Sequence, residues 1–183
     1  MSRYQAGQTI DPRHLISIAD QAISIPHQQQ LTHLQFRRFA GCPMCNLHIR
    51  SFIQGHAALA EAGIQEVAVF HSSKTAMLAS HAAAPFALIA DPTKKLYAAF
   101  GVDSSIWAVL HPKSWLPALK GLFKHGAGMP EKGQDPLGLP ADFLIAPDGT
   151  IVACKYGVHG YDQWSLSEVL QLAQHYQQRS VGH

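Results

Sequence analysis

Charge is scarce in this chain: Asp, Glu, Lys and Arg make up 14% of its 183 residues, and the formal net charge is only +2. The Lys and Arg residues are scattered and form no stripe, so the electrostatic footprint of a nucleic-acid-binding surface is missing. Apolar residues are plentiful at 47%, yet no apolar run approaches the ~18 residues that a membrane-spanning helix needs. The polar start, Met1 to His14, lacks the basic region and apolar core of a secretory signal. These absences lead us to expect a cytoplasmic protein with neither a membrane nor a nucleic acid among its partners. Cysteine is scarcer still, at three residues, which cannot all pair within one chain. A disulfide scaffold is thereby excluded, and in a reducing compartment a close Cys pair is more often redox-active or metal-binding than structural.

The composition that remains is that of a compact globule with a large core and a lightly charged surface. A chain of this length buries roughly two thirds of its unfolded surface within a single core, so we expect one domain over residues 1–183. Its twelve His residues add positive charge below about pH 6, because an unperturbed imidazole titrates near ~6.5.

Two short β-like runs open the chain, Leu15-Ile16-Ser17-Ile18 and Ala22-Ile23-Ser24-Ile25, with Asp20 at the turn between them. Their alternation predicts a hairpin, ended by Pro26. Leu31 to Phe39 reads as a buried strand that runs into Gly41-Cys42-Pro43-Met44-Cys45-Asn46. Pro43 suits the first turn of a helix, where its missing N–H costs nothing. From Leu47 to Ala60 the apolar spacing is helical, and Gly63 closes that helix. With the strand Val67 to Phe70 this completes a βαβ unit, which normally gives a parallel pair with a right-handed crossover.

Thr75 to His81 predicts a short helix, Phe86 to Ile89 a further apolar run, and Lys94 to Phe100 a helical turn or two capped by Gly101. The segment 104–139, rich in Trp and Lys and ending in a Gly- and Pro-rich stretch, reads as an insert or lid. Phe143 to Ala146 and Thr150 to Cys154, joined by Pro147-Asp148-Gly149, form the clearest hairpin. A last helix starts at Ser165 or Ser167, with a polar, frayed tail from Gln177. Mixed βαβ and hairpin units of this kind indicate an α/β fold with a mixed sheet and helices on both faces.

Cys42-Pro43-Met44-Cys45 carries the chemistry. A helix start offers unpaired N–H groups and a partial positive charge, both of which favour a thiolate. Arg37 and Arg38 stand close enough in sequence to add positive potential. A sulfenic acid or mixed disulfide on Cys42 would lie one helical turn from Cys45, whose attack closes a disulfide. The competing readings are half of a zinc site, which needs two further ligands that no second Cys pair or HxxxH spacing supplies, and a pair of small buried hydrophobes. Cys154 reads as a core residue in a strand. The His residues read as solvated or locally bonded, with no catalytic role.

The chain resembles thioredoxin-fold proteins of the peroxiredoxin-like AhpC/TSA family. The resemblance rests on Phe36-Arg37-Arg38-Phe39-Ala40-Gly41-Cys42-Pro43-Met44-Cys45, on Pro85 to Pro92 with Ala99-Phe100-Gly101-Val102, and on Leu139 to Ile151. It implies a thioredoxin-like α/β fold: a central mixed β-sheet flanked by helices on both faces, preceded here by the β-hairpin. It also implies thiol-dependent reduction of hydroperoxides, recycled by thioredoxin or glutathione. A thiolate needs no metal or organic cofactor for this. The family motif Pro-x-x-x-Thr-x-x-Cys, laid without gaps, places its Pro on Arg38, its Thr on Cys42 and its peroxide-reacting Cys on Cys45. The later family Arg falls on Pro140, which resembles instead the cis-proline of thioredoxins, beside which substrate backbone pairs.

The expected site is therefore Cys42, Cys45 and Pro140. In the thioredoxin-like register Cys42 attacks first, the order that a position at the helix start favours; in the peroxiredoxin register Cys45 does. Besides a peroxidase, the residues admit a thiol–disulfide oxidoreductase acting on protein or small-molecule disulfides. They also admit a non-enzymatic redox-sensing binding module. Oligomeric state is open, a homodimer included.

Overall fold

A computed structural model describes residues 3–103 and 138–181. Its elements are β1 (Arg13–Ile16), β2 (Ala22–Ile25), β3 (Leu31–Arg37), α1 (Pro43–Gln54), α2 (His56–Glu61), β4 (Ile64–Phe70), α3 (Lys74–His81), β5 (Ala87–Ala90), α4 (Lys95–Ala99), β6 (Ala141–Ile145), β7 (Ile151–Tyr156) and, numbered in chain order, α5 (Leu166–Val181). The first two strands form the expected antiparallel hairpin, with Asp20 at φ 60° in its turn. The other five form one sheet in the order β5-β4-β3-β6-β7. β3, β4 and β5 run parallel, and β6 and β7 return antiparallel, which makes the sheet mixed.

Strand period sorts the core. Leu34, Phe36, Val67, Val69, Phe143 and Ile145 point to one face, where Leu96 and Tyr97 of α4 and Ile25 of the hairpin cover them. Residues of the opposite parity point to the other face, under Ile49 and Phe52 of α1, Met77 of α3 and Val169 and Ala173 of α5. Helices thus lie on both faces. All seven residues of the central strand β3 are buried, and so its polar members His33, Gln35 and Arg37, at every second position, share one buried face.

The helix read from Leu47 to Ala60 is broken in two at Gly55. A Cβ there would meet Leu166 Cδ2 at 2.1 Å, so α5 packs where a side chain would stand. Gly63 does adopt the left-handed conformation, φ 66°, in which only glycine is unstrained. α5 continues through Gln177, read above as frayed, and Gln177 Nε2 donates to Ala62 O at 2.9 Å, which ties the last turns to α2. The segment 104–139 read as an insert or lid lies outside the described residues except for its last two. No helix among the described residues is long and apolar enough to cross a membrane.

Candidate active site

β3 delivers the chain to the Cys loop at the end of the sheet, and Tyr97 fixes that end. Its hydroxyl lies between the carbonyls of Val69, 3.1 Å away, and of Arg37. The loop is held on both sides: His71 N–H donates to Arg38 O, Ala40 N–H to Ser72 Oγ and Cys42 N–H to Phe39 O. α1 then starts with Pro43 at its first turn and Cys42 as N-cap, whose sulfur accepts the Cys45 N–H at 3.3 Å. A thiol here does what Ser or Asp does at most caps, satisfying one of the helix's free donors. No acidic residue occupies the first turn, so nothing there opposes a negative charge on sulfur.

The two sulfurs are 2.8 Å apart and unbonded, a reduced pair within hydrogen-bond contact. Arg38 Nη2 donates to Cys42 Sγ at 3.1 Å. Burial raises both thiols. For Cys45 it is outweighed by the hydrogen bond from Cys42 and by the charges of Arg38 and Arg37, which bring it down to about 6. Burial, with the hydrogen bond and charge of Cys45, holds Cys42 well above the ordinary thiol range. At neutral pH the pair thus carries one charge and one shared proton. Cys42 is 0% exposed and Cys45 3%, so the first cysteine is not the more open one, as its place in the motif suggests. Reaction with a molecule from solution therefore requires local opening around the pair.

Behind the pair lies a charge network that sequence reasoning missed. Arg37 Nη2 donates to Asp142 Oδ1 at 2.5 Å and to His48 Nε2 at 2.9 Å. His33 bridges Glu66, at 2.7 Å, and Asp142, at 3.4 Å, and Gln35 Nε2 donates to Glu66 Oε1 at 2.5 Å. Burial alone lowers an imidazole, but the two carboxylates raise His33 to about 9. Against its own burial, Asp142 is held well below the usual carboxylate range by Arg37 and His33. Burial first, then Arg37, lowers His48. It therefore stays neutral and accepts a hydrogen bond from Arg37. The net effect is to fix the Arg37 guanidinium, which lowers Cys45 electrostatically. The signal for the network is the polar series His33, Gln35, Arg37 at period two in a strand buried along its whole length. The His residues were read as mostly solvated or locally bonded; four of them, 33, 48, 71 and 81, are buried.

Pro140 precedes β6, next to the register pair Phe36 and Ala141, at the same end of the sheet as the loop after β3. The expectation of a cis bond does not hold. Among the described residues the only cis peptide is Ile25–Pro26, and Leu139–Pro140 is trans. The backbone that the resemblance leaves free for a substrate is also taken: Gly157 N–H donates to Pro140 O at 2.9 Å and Leu139 N–H to Asp103 O at 3.1 Å. Cys154 lies half-buried in β7, packed on the core, as read.

A buried dithiol capping a helix at the end of a five-stranded mixed sheet defines a thiol oxidoreductase of thioredoxin-like fold. The model of the family described as AhpC/TSA antioxidant enzyme matches residues 51–159. The chain belongs to that family and is a thiol-dependent antioxidant enzyme. The match begins after Cys45, so membership rests on the scaffold and leaves the pair to be argued from geometry. Among solved structures, peroxidoxin BcpB from Mycobacterium tuberculosis is similar at 15% identity, with 93% of this chain and 97% of that one covered and a TM-score of 0.68. AhpC from Enterococcus faecalis is similar at 15% identity, with 98% and 96% covered and a TM-score of 0.69. The reduced 2-Cys peroxiredoxin of Plasmodium vivax is similar at 14% identity, with 97% and 84% covered and a TM-score of 0.69. At such identities the likeness is one of fold. No curated protein matches the chain.

Proposed function

We propose that this chain reduces hydroperoxides through a Cys42–Cys45 dithiol/disulfide cycle in which the Cys45 thiolate attacks first. The observation that carries the reading is the 2.8 Å contact between two reduced sulfurs beside the Arg38 guanidinium. Arg38 occupies the place of the motif proline and brings to the pair the cation that Pro140, at the place of the family Arg, does not supply.

In the first step the Cys45 thiolate bonds to one peroxide oxygen and the O–O bond breaks. Cys45 becomes a sulfenic acid, and the departing alkoxide takes the Cys42 proton to leave as an alcohol or water. The Cys42 thiolate so formed then attacks the Cys45 sulfur, one helical turn away. The S–S bond forms, and the hydroxide expelled takes up the proton that Cys45 had released to solvent. A thiol reductant, thioredoxin or glutathione, returns the pair to the dithiol in a reducing, cytoplasmic setting.

Mixing reduced protein with hydrogen peroxide and following thiol loss and mass tests this. Wild type should form an intramolecular disulfide. Cys42→Ser should stop at a sulfenic acid trapped by dimedone, and Cys45→Ser should not react. A second order of attack, Cys42 first, has its own support: the Cys45 N–H and Arg38 Nη2 both donate to the Cys42 sulfur. It predicts the opposite behaviour of the two variants. Absence of a disulfide in wild type would overturn both.

A further inference from the structure

Between the end of β3 and the first turn of α1 the chain makes a turn, Phe39-Ala40-Gly41-Cys42, closed by the Cys42 N–H donating to Phe39 O at 3.0 Å. Neither corner residue, Ala40 nor Gly41, has a positive φ, so the turn is of type I. Its first peptide unit, which carries the Phe39 carbonyl and the Ala40 N–H, is held at both ends. The carbonyl accepts from Cys42, and the N–H donates to Ser72 Oγ at 2.9 Å. Ser72 belongs to the connection between β4 and α3. Just before it, His71 N–H donates to Arg38 O at 2.9 Å, a backbone rung beyond the β3–β4 ladder. The next rung is made by a side chain. Ser72 is 0% exposed and Ala40 1%, so solvent does not replace that bond when it is lost, and an orphaned buried N–H is costly. The element behind Ser72 is itself fixed. Ser73 caps α3, its Oγ accepting the Ala76 N–H at 3.2 Å. Lys74 reaches both carboxylate oxygens of Asp20 in the hairpin turn, at 2.6 and 2.7 Å, and Met77 lies in the same apolar cluster as Cys42 and Cys45. Neighbouring serines thus divide the work: Ser73 fixes α3, and Ser72 fixes the Cys loop to it.

We propose that Ser72 is a positioning residue for the Cys42–Cys45 pair. Its hydroxyl sets the plane of the Phe39–Ala40 peptide, and the carbonyl of that peptide aims the Cys42 N–H. Cys42 so placed keeps its sulfur 3.1 Å from Arg38 Nη2 and 2.8 Å from Cys45 Sγ. Hydrogen bonds in series reinforce one another, because a peptide that donates through its N–H becomes a better acceptor at its carbonyl. Without the hydroxyl the peptide is free to rotate, both sulfur contacts lengthen, and the Cys45 thiolate loses the stabilisation they supply. A reactive pair is only as well placed as the shell that supports it. The inference rests on the Cys45 thiolate of the cycle proposed above and names a residue outside the pair that maintains it.

Ser72→Thr and Ser72→Val bring side chains of nearly the same shape that differ in the hydroxyl, so comparing them separates the hydrogen bond from the volume. The readout is iodoacetamide alkylation of the reduced protein against pH, with the modified cysteine identified by mass. The Cys45 midpoint should stay at the wild-type value in Ser72→Thr and rise by about one pH unit in Ser72→Val, the scale of one hydrogen bond to a charged group. Ser72→Ala, which adds no bulk to a buried site, should rise likewise. Amide hydrogen exchange at Ala40 and Cys42 should quicken in the Val and Ala variants and not in Ser72→Thr. A purely structural role would lower the urea midpoint and leave the alkylation midpoint where it is. A wild-type alkylation midpoint in Ser72→Ala, or one midpoint shared by the Thr and Val variants, would overturn the proposal. No peroxide enters these measurements, so a wild type that forms no disulfide with peroxide would count against the peroxidase reading alone.

Discussion

Arg38 and Arg37 both point positive charge at the Cys pair but by different routes. Arg38 touches Cys42 Sγ directly, whereas Arg37 acts through space from a site fixed by Asp142 and His48. Replacing Arg38 by Met removes the closer charge and the hydrogen bond. The ionisation of Cys45, near pH 6 in the wild type, should then rise toward the ordinary thiol range. The rate of iodoacetamide alkylation against pH reads that midpoint directly; an unmoved midpoint would show that Arg38 does not stabilise the thiolate. Asp142→Asn is a different kind of change. It leaves the buried Arg37 and His33 facing one carboxylate fewer, and breaking one side of a buried pair costs about 3–5 kcal/mol. A urea titration should show a loss of that order.

At the scale of elements, what locates the site is the way the strand ends meet. Gly157, just past β7, lies against Pro140, just before β6. A Cβ on it would stand 2.5 Å from Asp162 O, 2.8 Å from Pro140 Cγ and 3.0 Å from Pro140 O. Backbone cannot swing aside as a side-chain tip can, so Gly157→Ala should destabilise by about 1–3 kcal/mol, as overpacking does. Thermal denaturation checks this. The hairpins and the βαβ unit were legible because alternation and helical spacing are local signals. The need for glycine at the break, Gly55, was not, because the side chain that occupies the space is Leu166, more than a hundred positions away.

For the molecule as a whole, the buried network makes stability depend on pH in a definable way. His33 is raised from 6.5 to about 9 on folding. Its contribution is therefore fully present below pH 6.5 and is lost as the pH rises through about 9, a loss of at most about 3 kcal/mol. Asp142 is lowered on folding, so its contribution is present above its unfolded value near 3.8 and is lost as the pH falls through the folded one. Cys45, lowered to about 6 on folding, gains stability as the pH rises over the same range and so opposes the loss from His33. The readout is therefore the difference between wild type and His33→Gln: urea midpoints should show the advantage of wild type shrinking from pH 6.5 to 9, with the acid limb unchanged. A difference that stays constant over that range would mean that His33 is not charged in the folded protein.

Sequence by itself determined the fold class, the two hairpins, the place of the Cys pair at a helix start and the family, because each is written in residues near one another in the chain. It also placed Arg37 and Arg38 close to the pair. Only the tertiary structure decided which groups surround the sulfurs. His33 meets Glu66 through the β3–β4 register and Gln35 stands opposite Asp142 through β3–β6, and neither pairing has a local signature. The sharing of the proton between Cys42 and Cys45 follows from the same cause. Burial and charge act across space, and a strand shows which residues share a face without showing what lies opposite.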